Sequence, residues 1–415
     1  MRIGLFTDTY PPHINGVSTS ILMLKKALQK QGHQVFIVTV NNEATKYSYE
    51  DGGKIIRIPG VPVHIYDYRL TGIYPVRCIN KIKKWKLDVI HSHTEFGIGT
   101  FARIIAKQFK IPLVHTYHTM YEDYIHYITK GYFNHTSKKI VEYLTLFYCD
   151  KTISELIVPT KKAYDLFKEK YKVRRNIHIV PTGIEIDRFY KENYTRGQIN
   201  IYKNNLKINK DDFVILFVGR LASEKNVEFL IENQRDIIKK YKNIKLLIIG
   251  DGPDSDKYKA MATKYSLDNN IIFTGKVPWD DVPNYYQLAD IFVTASTTET
   301  QGLTVIEAMA ASTPPIAIND ESFKNVIIDD LNGRIFENKK EYKNIVFSLY
   351  EDRNYLKRLS KQARISANQY SSKYYAERVL DVYEIAIKNY RTSLGILNIF
   401  SQKKVGRDDD KKVDS

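Results

Sequence analysis

A stretch in the last third of the chain places two carboxylates on either side of a predicted helix start. The sequence ETQGLTVIE, residues 299–307, follows an apolar strand, and Gly302 precedes the helix. The first backbone N–H groups of a helix have no intrahelical partner, so they can bind a phosphate without a basic side chain. Glu299 and Glu307 could then accept hydrogen bonds from hydroxyl groups on either side of a diphosphate. The alternative is a solvated capping carboxylate and a glutamate on the helix surface.

A second strand end supplies positive charge. The sequence FVGRLASEKN, residues 217–226, again runs from a strand into a helix start, and Gly219 permits a tight turn between them. Arg220 and Lys225 follow that turn, where two cations would stabilise the negative charge of a departing diphosphate. The alternative is a pair of solvated loop charges.

The first half of the chain has its own candidate loops at strand ends. Gly16 directly precedes a predicted helix, and the backbone of a glycine can approach a phosphate closely. After the predicted strand at 112–116, a loop combines His118 with two acids, Glu122 and Asp123, and with several aromatic side chains. The pattern alone assigns neither acid as a base.

The elements that carry these loops alternate between short apolar strands and helical segments in both halves. Each predicted strand is a continuous apolar run, which is typical of a parallel sheet covered by helices on both faces. A chain of 415 residues is too long for one ordinary core and indicates two domains of about 200 residues each. We therefore predict two doubly wound α/β domains with ligands at the carboxyl ends of their strands.

The formal net charge of +16 is concentrated in the first half of the chain. Residues 1–200 hold 30 lysines and arginines against 17 acids, whereas residues 201–415 hold 33 against 30. A basic half indicates a basic surface, for which nucleic acid, an anionic membrane and a phosphorylated substrate are candidate partners. The chain has no recognisable nucleic-acid-binding module, so we expect no nucleic-acid partner. Codon bias is an alternative source of part of the lysine excess.

Cysteine content and hydropathy restrict the compartment. Two cysteines, Cys78 and Cys149, cannot form a disulfide framework, so a reducing cytoplasm is expected. No apolar run reaches the roughly 18 residues that a membrane span needs. We therefore expect a protein that has no span of its own.

Two patterns could suggest a metal, and each has a simpler interpretation. The Asp-x-Asp sequence at 254–256 has the form used by metal-dependent transferases, but it lies at a helix start, where aspartate is a good capping residue. Four histidines at two strand ends have no cysteine nearby to complete a zinc site: His91, His93, His115 and His118. We therefore expect no metal.

Taken together, the motifs resemble those of the retaining glycosyltransferases of family 4. The resemblance depends on Glu299-x7-Glu307 combined with Gly-Arg220-x4-Lys225, and it extends over nearly the whole chain. It implies the GT-B fold, in which two Rossmann-like doubly wound parallel-sheet domains face each other across a cleft and a C-terminal helix returns to the N-terminal domain. The implied ranges are an N-terminal domain at 1–190 with the returning helix at about 375–400, a nucleotide-sugar-binding domain at 191–374, and a charged, disordered tail at 401–415.

Within that family, three segments are most similar to the bacterial 1,2-diacylglycerol glucosyltransferases: HTYHTMYEDY at 115–124, PTGIE at 181–185 and ETQGLT at 299–304. Those enzymes transfer glucose from UDP-glucose to the free hydroxyl of diacylglycerol. The resemblance therefore implies a nucleotide-sugar donor, a lipid acceptor and no cofactor, since the UDP-sugar is a substrate. Glu122 and Asp123 would lie on the acceptor side. The alternative is another donor, or another acceptor such as a glycosylated lipid, a phosphoinositide or a soluble sugar.

The resemblance also implies roles for particular residues. Arg220 and Lys225 would bind the diphosphate and stabilise its departing charge. Glu299 would bind the transferred sugar near the active-site histidine, His118, and Glu307 would accept from the ribose hydroxyls. The implied donor-binding residues lie at strand ends and helix starts: Gly16, Arg220, Lys225, Gly275, Lys276, Val277, Glu299, Gly302, Leu303, Thr304 and Glu307.

The basic segment at 66–86 is the candidate membrane contact. It contains six lysines and arginines among tyrosines and Trp85. A helix there would place Ile79 and Ile82 on one face with Trp85, and three lysines away from that face: Lys81, Lys83 and Lys84. This pattern is typical of an interfacial helix on anionic lipid. The alternative is an ordinary amphipathic helix packed on the sheet with a solvated basic face. On the interfacial interpretation, we predict a cytoplasmic, peripheral protein on the inner face of the cell membrane.

Overall fold

The computed structural model describes residues 1–12, 15–41, 45–62, 69–118, 143–299 and 301–409, without the side chains of residues 62, 70 and 394–409. Proximity between Cα atoms divides the chain into two units. The first unit comprises residues 1–159, 163–181 and 375–415, and the second comprises residues 160–162 and 182–374.

An eight-stranded sheet forms the centre of the first unit, with the strand order β10-β9-β8-β7-β1-β2-β4-β3. All neighbouring strands are parallel except β3 and β4. The strands of this unit, including the separate antiparallel pair β5 and β6, are β1 (Arg2–Phe6), β2 (Gln34–Asn41), β3 (Ser48–Glu50), β4 (Ile55–Pro59), β5 (Val61–Pro62), β6 (Arg69–Leu70), β7 (Val89–Ser92), β8 (Leu113–Thr116), β9 (Glu155–Val158) and β10 (Ile177–Ile179).

Helices cover both faces of this sheet. Alternate residues of a strand point to opposite faces, and in β1 the side chains of Ile3 and Leu5 enter one apolar cluster while Phe6 enters the other. The helical segments of the unit are Gly16–Lys30, Asp51–Gly53, Val76–Trp85, Gly97–Phe109, Phe147–Lys151, Lys161–Asp165, Leu166–Lys170 and Ser372–Asp409, of which Lys161–Asp165 and Ser372–Asp409 begin in the second unit. Both faces of the sheet are therefore buried, as the continuous apolar strands predict.

The second unit repeats this design with six parallel strands in the order β13-β12-β11-β14-β15-β16. The strands are β11 (Phe213–Val218), β12 (Ile244–Ile249), β13 (Ile271–Phe273), β14 (Ile291–Thr294), β15 (Pro315–Ile318) and β16 (Arg334–Phe336). The helical segments are Ile186–Phe189, Lys191–Asn193, Arg196–Asn205, Ser223–Lys225, Val227–Lys240, Ser255–Lys264, Val282–Tyr286, Leu303–Ala310, Glu321–Lys324, Lys339–Glu351, Arg353–Ala367 and Asn368–Tyr370. The predicted fold class, two Rossmann-like α/β units, is confirmed.

The strand order reverses once in each sheet. In the first unit the reversal lies between β1 and β7, and in the second it lies between β11 and β14. Ligands of doubly wound sheets bind outside the carboxyl ends of the strands at such a switch point. The loops that follow these four strands are therefore where ligands are expected to bind.

The boundary between the units lies earlier than predicted. Residues 182–190 belong to the second unit, although we predict the first domain to extend to residue 190. Ile184, Ile186 and Phe189 are buried in an apolar cluster of the second unit, and this burial holds the segment there. The polar composition that follows Pro181 gives no sign of these three anchors.

The long C-terminal helix, Ser372–Asp409, packs on the first unit, as predicted for the returning helix. Tyr383 donates its hydroxyl to, or accepts from, Nδ1 of His91 at 2.7 Å, and Asn389 Nδ2 donates to Glu155 Oε1 at 3.0 Å. The helix continues through Asp409, whereas we predict disorder from residue 401. Once a helix has begun, each added residue contributes one more hydrogen bond, and no proline interrupts this run. Residues 410–415 lie outside the described residues.

The predicted interfacial helix is an amphipathic helix packed within the first unit. Ile82 and Trp85, which we predict on a lipid-facing side, are 1% and 6% exposed, and Trp85 stacks on Phe36 with ring centroids 4.9 Å apart. The predicted lipid face is therefore wrong, because protein already covers it. Lys83 and Lys84 are exposed on the opposite side. No helix in the described part of the chain is long and apolar enough to span a membrane.

Candidate active site

A cation and a carboxylate meet at the switch point of the second unit. Lys225 ends the helical turn that follows β11, and Glu299 lies in the loop that follows β14. Their side chains form an ion pair, and they remain 19% and 22% exposed. The pair is separated by 74 positions in the sequence, and the adjacency of β11 and β14 brings it together.

The loop that carries Glu299 is fixed from two directions. The hydroxyl of Ser322 donates to the backbone carbonyl of Glu299. The buried side chain of Gln301 exchanges two hydrogen bonds with the backbone of Thr182, accepting from its N–H at 2.7 Å and donating to its carbonyl at 2.9 Å. These contacts set the position of the loop immediately before the helix start.

Gly302 has a backbone conformation that the sequence alone does not reveal. Its φ of 71° lies in the left-handed region, and an added Cβ would lie 2.7 Å from Cε1 of Phe323. No side chain caps the start of the helix Leu303–Ala310 within the described ranges. The backbone N–H groups at this helix start are thus not covered by a capping side chain, as a phosphate-binding turn requires.

The turns that follow β11, β12 and β13 pack backbone against backbone. Gly219 N–H donates to the carbonyl of Ile249, and Gly250 N–H donates to the carbonyl of Gly275, both at 3.0 Å. An added Cβ at Gly250 would lie 1.9 Å from the carbonyl oxygen of Gly219. These contacts form one edge that carries two exposed cations and a half-buried apolar residue: Arg220, Lys276 and Val277.

Glu307 is half-buried in the second turn of the helix and is held by a residue that sequence reasoning missed. The hydroxyl of Tyr286 donates to Glu307 Oε2 at 2.7 Å. Burial raises the pKa of Glu307 to about 7, while the Tyr286 hydrogen bond and the charge of Arg188 oppose that rise. Arg188 itself stacks over the ring of Trp279 at 3.5 Å. With 31 tyrosines in the chain, no local signal distinguishes Tyr286.

At the switch point of the first unit, the strand-end loops meet through a buried carboxyl group. The hydroxyl of Thr94, after β7, donates to Oδ2 of Asp8, after β1, at 2.5 Å. The backbone N–H of Ile98 donates to Asp8 Oδ1 at 3.0 Å, so Asp8 satisfies the start of the helix Gly97–Phe109. Burial raises the pKa of Asp8 to about 6. Sequence reasoning missed Asp8, although an aspartate directly after a first strand is a usable signal.

Gly16 is the first residue of its helix, and Asn15 and Ser18 cap that helix reciprocally, with Ser18 N–H donating to Asn15 Oδ1 at 2.8 Å. An added Cβ at Gly16 would meet no described atom within 4 Å.

Four histidines form a buried cluster where β7 and β8 end. His118 Nε2 lies 3.0 Å from Nδ1 of His93, and Nε2 of His115 lies 3.1 Å from Glu95 Oε1. His91 bonds to Thr116 through Nε2 at 2.6 Å. Burial lowers the pKa of all four, that of His118 to about 4, so His93 and His118 are neutral near pH 7.

Several sequence predictions fall elsewhere. Glu122 and Asp123 lie outside the described residues. Asp254 lies at the N-cap of the helix Ser255–Lys264, and its side chain makes no capping hydrogen bond. Over the described residues, no group of three or more His, Cys, Asp or Glu could hold a metal ion. His118 and Gly16 belong to the first unit, and the other residues that we predict to bind the donor belong to the second.

Comparisons with known proteins find a glycosyltransferase family model in each half of the chain. The model of Glycosyltransferase Family 4 matches residues 14–188, and the model of Glycosyl transferases group 1 matches residues 198–366. Two relatives are named alpha-monoglucosyldiacylglycerol synthase. The one from Acholeplasma laidlawii is 38% identical over 92% of this chain and 96% of its own. The one from Streptococcus pneumoniae is also 38% identical, over 81% of this chain and 75% of its own.

Among solved structures, HepE of Anabaena in complex with UDP has a TM-score of 0.70, covering 92% of this chain and 100% of its own at 16% identity. That likeness shows the fold alone, which is the GT-B fold. The chain belongs to glycosyltransferase family 4, and it is a hexosyltransferase. The predicted family and enzyme class are confirmed.

Proposed function

We propose that the protein transfers glucose from UDP-glucose to the free hydroxyl of 1,2-diacylglycerol, with retention of configuration and without a metal. The observation that carries the proposal is the Lys225–Glu299 ion pair beside the uncapped helix start at Gly302. The glucosyl group and the lipid acceptor follow the names of two relatives that are 38% identical to the chain, and the UDP donor follows the family resemblance.

The ion pair lets one site bind both the diphosphate and the sugar. An ammonium group has three N–H donors, so Lys225 can keep its bond to Glu299 and donate another to a phosphate oxygen. Arg220 and the backbone N–H groups of residues 302–304 supply further donors, and the helix dipole favours the negative charge. Glu299 then has acceptor capacity left for a sugar hydroxyl.

The remaining contacts orient the nucleotide. Glu307, held by Tyr286, accepts from the ribose hydroxyls, and the backbone at residues 275–277 contacts the base. By the family resemblance, Gly16 is the residue expected to bind the distal phosphate, and His118 is the one expected to bind the transferred sugar. The charged groups needed for the diphosphate are Arg220 and Lys225, which explains why the second half of the chain needs little net positive charge.

The reaction then balances without a protein nucleophile. The bond between the anomeric carbon and the diphosphate oxygen breaks, and a bond from the lipid hydroxyl oxygen forms on the same face of the sugar. The leaving phosphate oxygen accepts the hydroxyl proton. Cations and N–H groups stabilise the charge that develops on that phosphate, which is the main contribution of the protein to the rate.

The first unit offers a surface that suits an anionic membrane. Ile73 and Val76 are 60% and 64% exposed at the start of the helix Val76–Trp85. Arg77, Lys83 and Lys84 are exposed on the same helix. Exposed aliphatic side chains beside lysines suit a lipid headgroup region. We propose that this helix start and its basic side, and not Trp85, hold the enzyme on the inner face of the cell membrane.

An assay of labelled sugar donors tests the reaction. The protein is incubated with UDP-glucose, UDP-galactose or GDP-mannose and with diacylglycerol or monoglucosyl lipid, with and without EDTA. We expect α-linked monoglucosyl lipid from UDP-glucose and diacylglycerol at an unchanged rate in EDTA. Transfer to the glycosylated lipid alone, or from another donor alone, would contradict the proposal and identify the other substrate.

Vesicle sedimentation tests the membrane surface. We expect Lys83→Glu combined with Lys84→Glu to weaken binding to anionic vesicles, by about 1 kcal/mol for each lysine lost. The matched control is Lys357→Glu combined with Lys361→Glu, which makes the same charge change at exposed positions of a second-unit helix. Equal binding of the two double variants would refute the proposed surface.

A further inference from the structure

His93 connects the active-site histidine to the interior of the first unit. It directly follows β7, is 2% exposed, and places its Nδ1 3.0 Å from Nε2 of His118. Its other ring nitrogen, Nε2, is buried without a hydrogen-bond partner among the described residues. The ring of His91 packs against it with centroids 3.9 Å apart.

The hydrogen bond between two neutral imidazoles can run in either direction. If His93 donates from Nδ1, its buried Nε2 is an unprotonated acceptor. If His118 donates from Nε2, His93 must carry its proton on the buried, unpartnered Nε2. Buried N–H groups without any partner are rare in folded proteins, and they are rarer than under-satisfied buried acceptors. Donation from His93 is therefore the favoured direction.

The neighbouring groups do not compete for this bond. His115 has Ser92 O at 2.9 Å from its Nδ1 and Glu95 at its Nε2. His91 has Tyr383 at its Nδ1 and Thr116 at its Nε2. Both histidines thus have partners for both ring nitrogens. Among the histidines of this cluster, His93 and His118 therefore determine each other's tautomer through the bond between them.

We infer that His93 is a positioning residue that holds His118 as the Nδ1–H tautomer, so that His118 offers its substrate a hydrogen-bond donor and not a base. The identity of the substrate atom depends on the proposed function: an oxygen of the donor sugar close to the bond that breaks. His118 then orients that sugar, and the lipid hydroxyl gives its proton to the leaving phosphate. The tautomer itself depends only on the contacts within the first unit.

Nitrogen-15 NMR of the full chain labelled at histidine tests the tautomer without any substrate. His118→Gln identifies the resonances of His118 by their loss. At pH 7 we expect His118 Nε2 to resonate as an unprotonated ring nitrogen and Nδ1 as a protonated one. A protonated Nε2, in either the neutral or the charged ring, would overturn the inference whether or not the lipid product is right.

Three substitutions at His93 test its effect on catalysis. Asparagine can donate from about the position of Nδ1, aspartate of similar size can only accept there when ionised, and leucine can do neither. We expect His93→Leu and His93→Asp to lower kcat for hexosyl transfer about 10-fold, the loss of one hydrogen bond, and His93→Asn to restore most of it. UDP affinity and thermal unfolding are measured on the same samples. Unchanged kcat in His93→Leu, or equal loss in His93→Asn and His93→Asp at matched folding, would refute the inference.

Discussion

The two switch points occupy equivalent places in the two sheets, yet one holds a partly exposed ion pair and the other holds a buried, hydrogen-bonded carboxyl group. In the second unit the loops meet through Lys225 and Glu299, a charged pair that keeps about one fifth of its surface in solvent. In the first unit they meet through Asp8 and Thr94, which are 4% and 5% exposed. The comparison teaches that topology fixes where a site lies, whereas side-chain hydration decides which charge it can carry.

The physical reason is the cost of burying charge. Loss of hydration favours the neutral form of any ionisable group, so it raises the pKa of an acid and lowers that of a histidine. Burial shifts Asp8 and the four histidines of the first unit in these directions. The second unit leaves its cation and carboxylate partly hydrated, where they can meet a diphosphate and a sugar.

The largest expected difference between the units is their response to acid. The folded-state pKa values of His91, His93, His115 and His118 are lowered, so their stabilisation is complete above the unfolded value near 6.5 and is lost as pH falls. His118, with a pKa of about 4, would contribute a loss of about 2 kcal/mol between pH 6.5 and 5. Asp8 partly offsets this loss because its pKa is raised. We expect the first unit to unfold in acid before the second.

The two tryptophans provide the measurement. Trp85 lies in the first unit and Trp279 in the second, so Trp85→Phe and Trp279→Phe leave one fluorescent reporter each. In denaturant unfolding, the transition reported by Trp85 should show a lower free energy of unfolding at pH 5 than at pH 7. Equal acid sensitivity of both reporters would contradict the comparison.

Removal of the second-unit cation should have the next largest effect. Lys225→Ala leaves the developing phosphate charge with fewer donors, so hexosyl transfer should fall about 100- to 1,000-fold. The matched control is Lys257→Ala, because Lys257 pairs with Glu228 on the surface of the same unit. Near-normal transfer by Lys225→Ala would remove the central role of the charged pair.

The two glycines at the helix starts should differ in their tolerance of a side chain. Gly302→Ala places a Cβ at positive φ and against Phe323, and should lower the free energy of unfolding by about 1–3 kcal/mol. Gly16→Ala meets open space and should leave stability nearly unchanged. Thermal unfolding of both variants measures the difference, and similar losses would show that the left-handed backbone at Gly302 is not a constraint.

The smallest expected effect is the pH dependence of stability that Glu307 causes. Its sign is opposite to that of the histidines in the first unit. The folded-state pKa of Glu307, about 7, is raised, so the associated stability is complete below about 4.5 and is lost as pH rises through 7. Allowing for partial hydration, the effect should be about 1 kcal/mol. Glu307→Gln should flatten this dependence in the Trp279 reporter. If Glu307→Gln keeps the same pH dependence of stability, another titrating group must cause that dependence.

Much of the second-unit site is predictable from sequence because its residues lie in short motifs. Gly219, Arg220 and Lys225 are contiguous with one strand end, and Glu299 and Gly302 with another. Tyr286 and Arg188 are not predictable, since each reaches Glu307 only through tertiary packing. They carry no motif of their own.

The helix Val76–Trp85 shows what the sequence pattern cannot predict. Its 3.6-residue periodicity identifies the face that carries Ile82 and Trp85, and that face is apolar as predicted. Periodicity reports that a face avoids water, but not whether protein or lipid covers it. Only the position of the helix on the sheet, with Trp85 against Phe36, decides that protein covers it.

The sequence by itself determined the alternation of strands and helices, the family, and the motifs that carry charge to the strand ends, because these depend on local pattern and spacing. Tertiary structure decided which strand ends are neighbours, and therefore that Lys225 meets Glu299 and that His93 meets His118. It also decided which groups lose their hydration, and hence which remain charged. Both decisions depend on contacts between residues far apart in the chain, which no local pattern records.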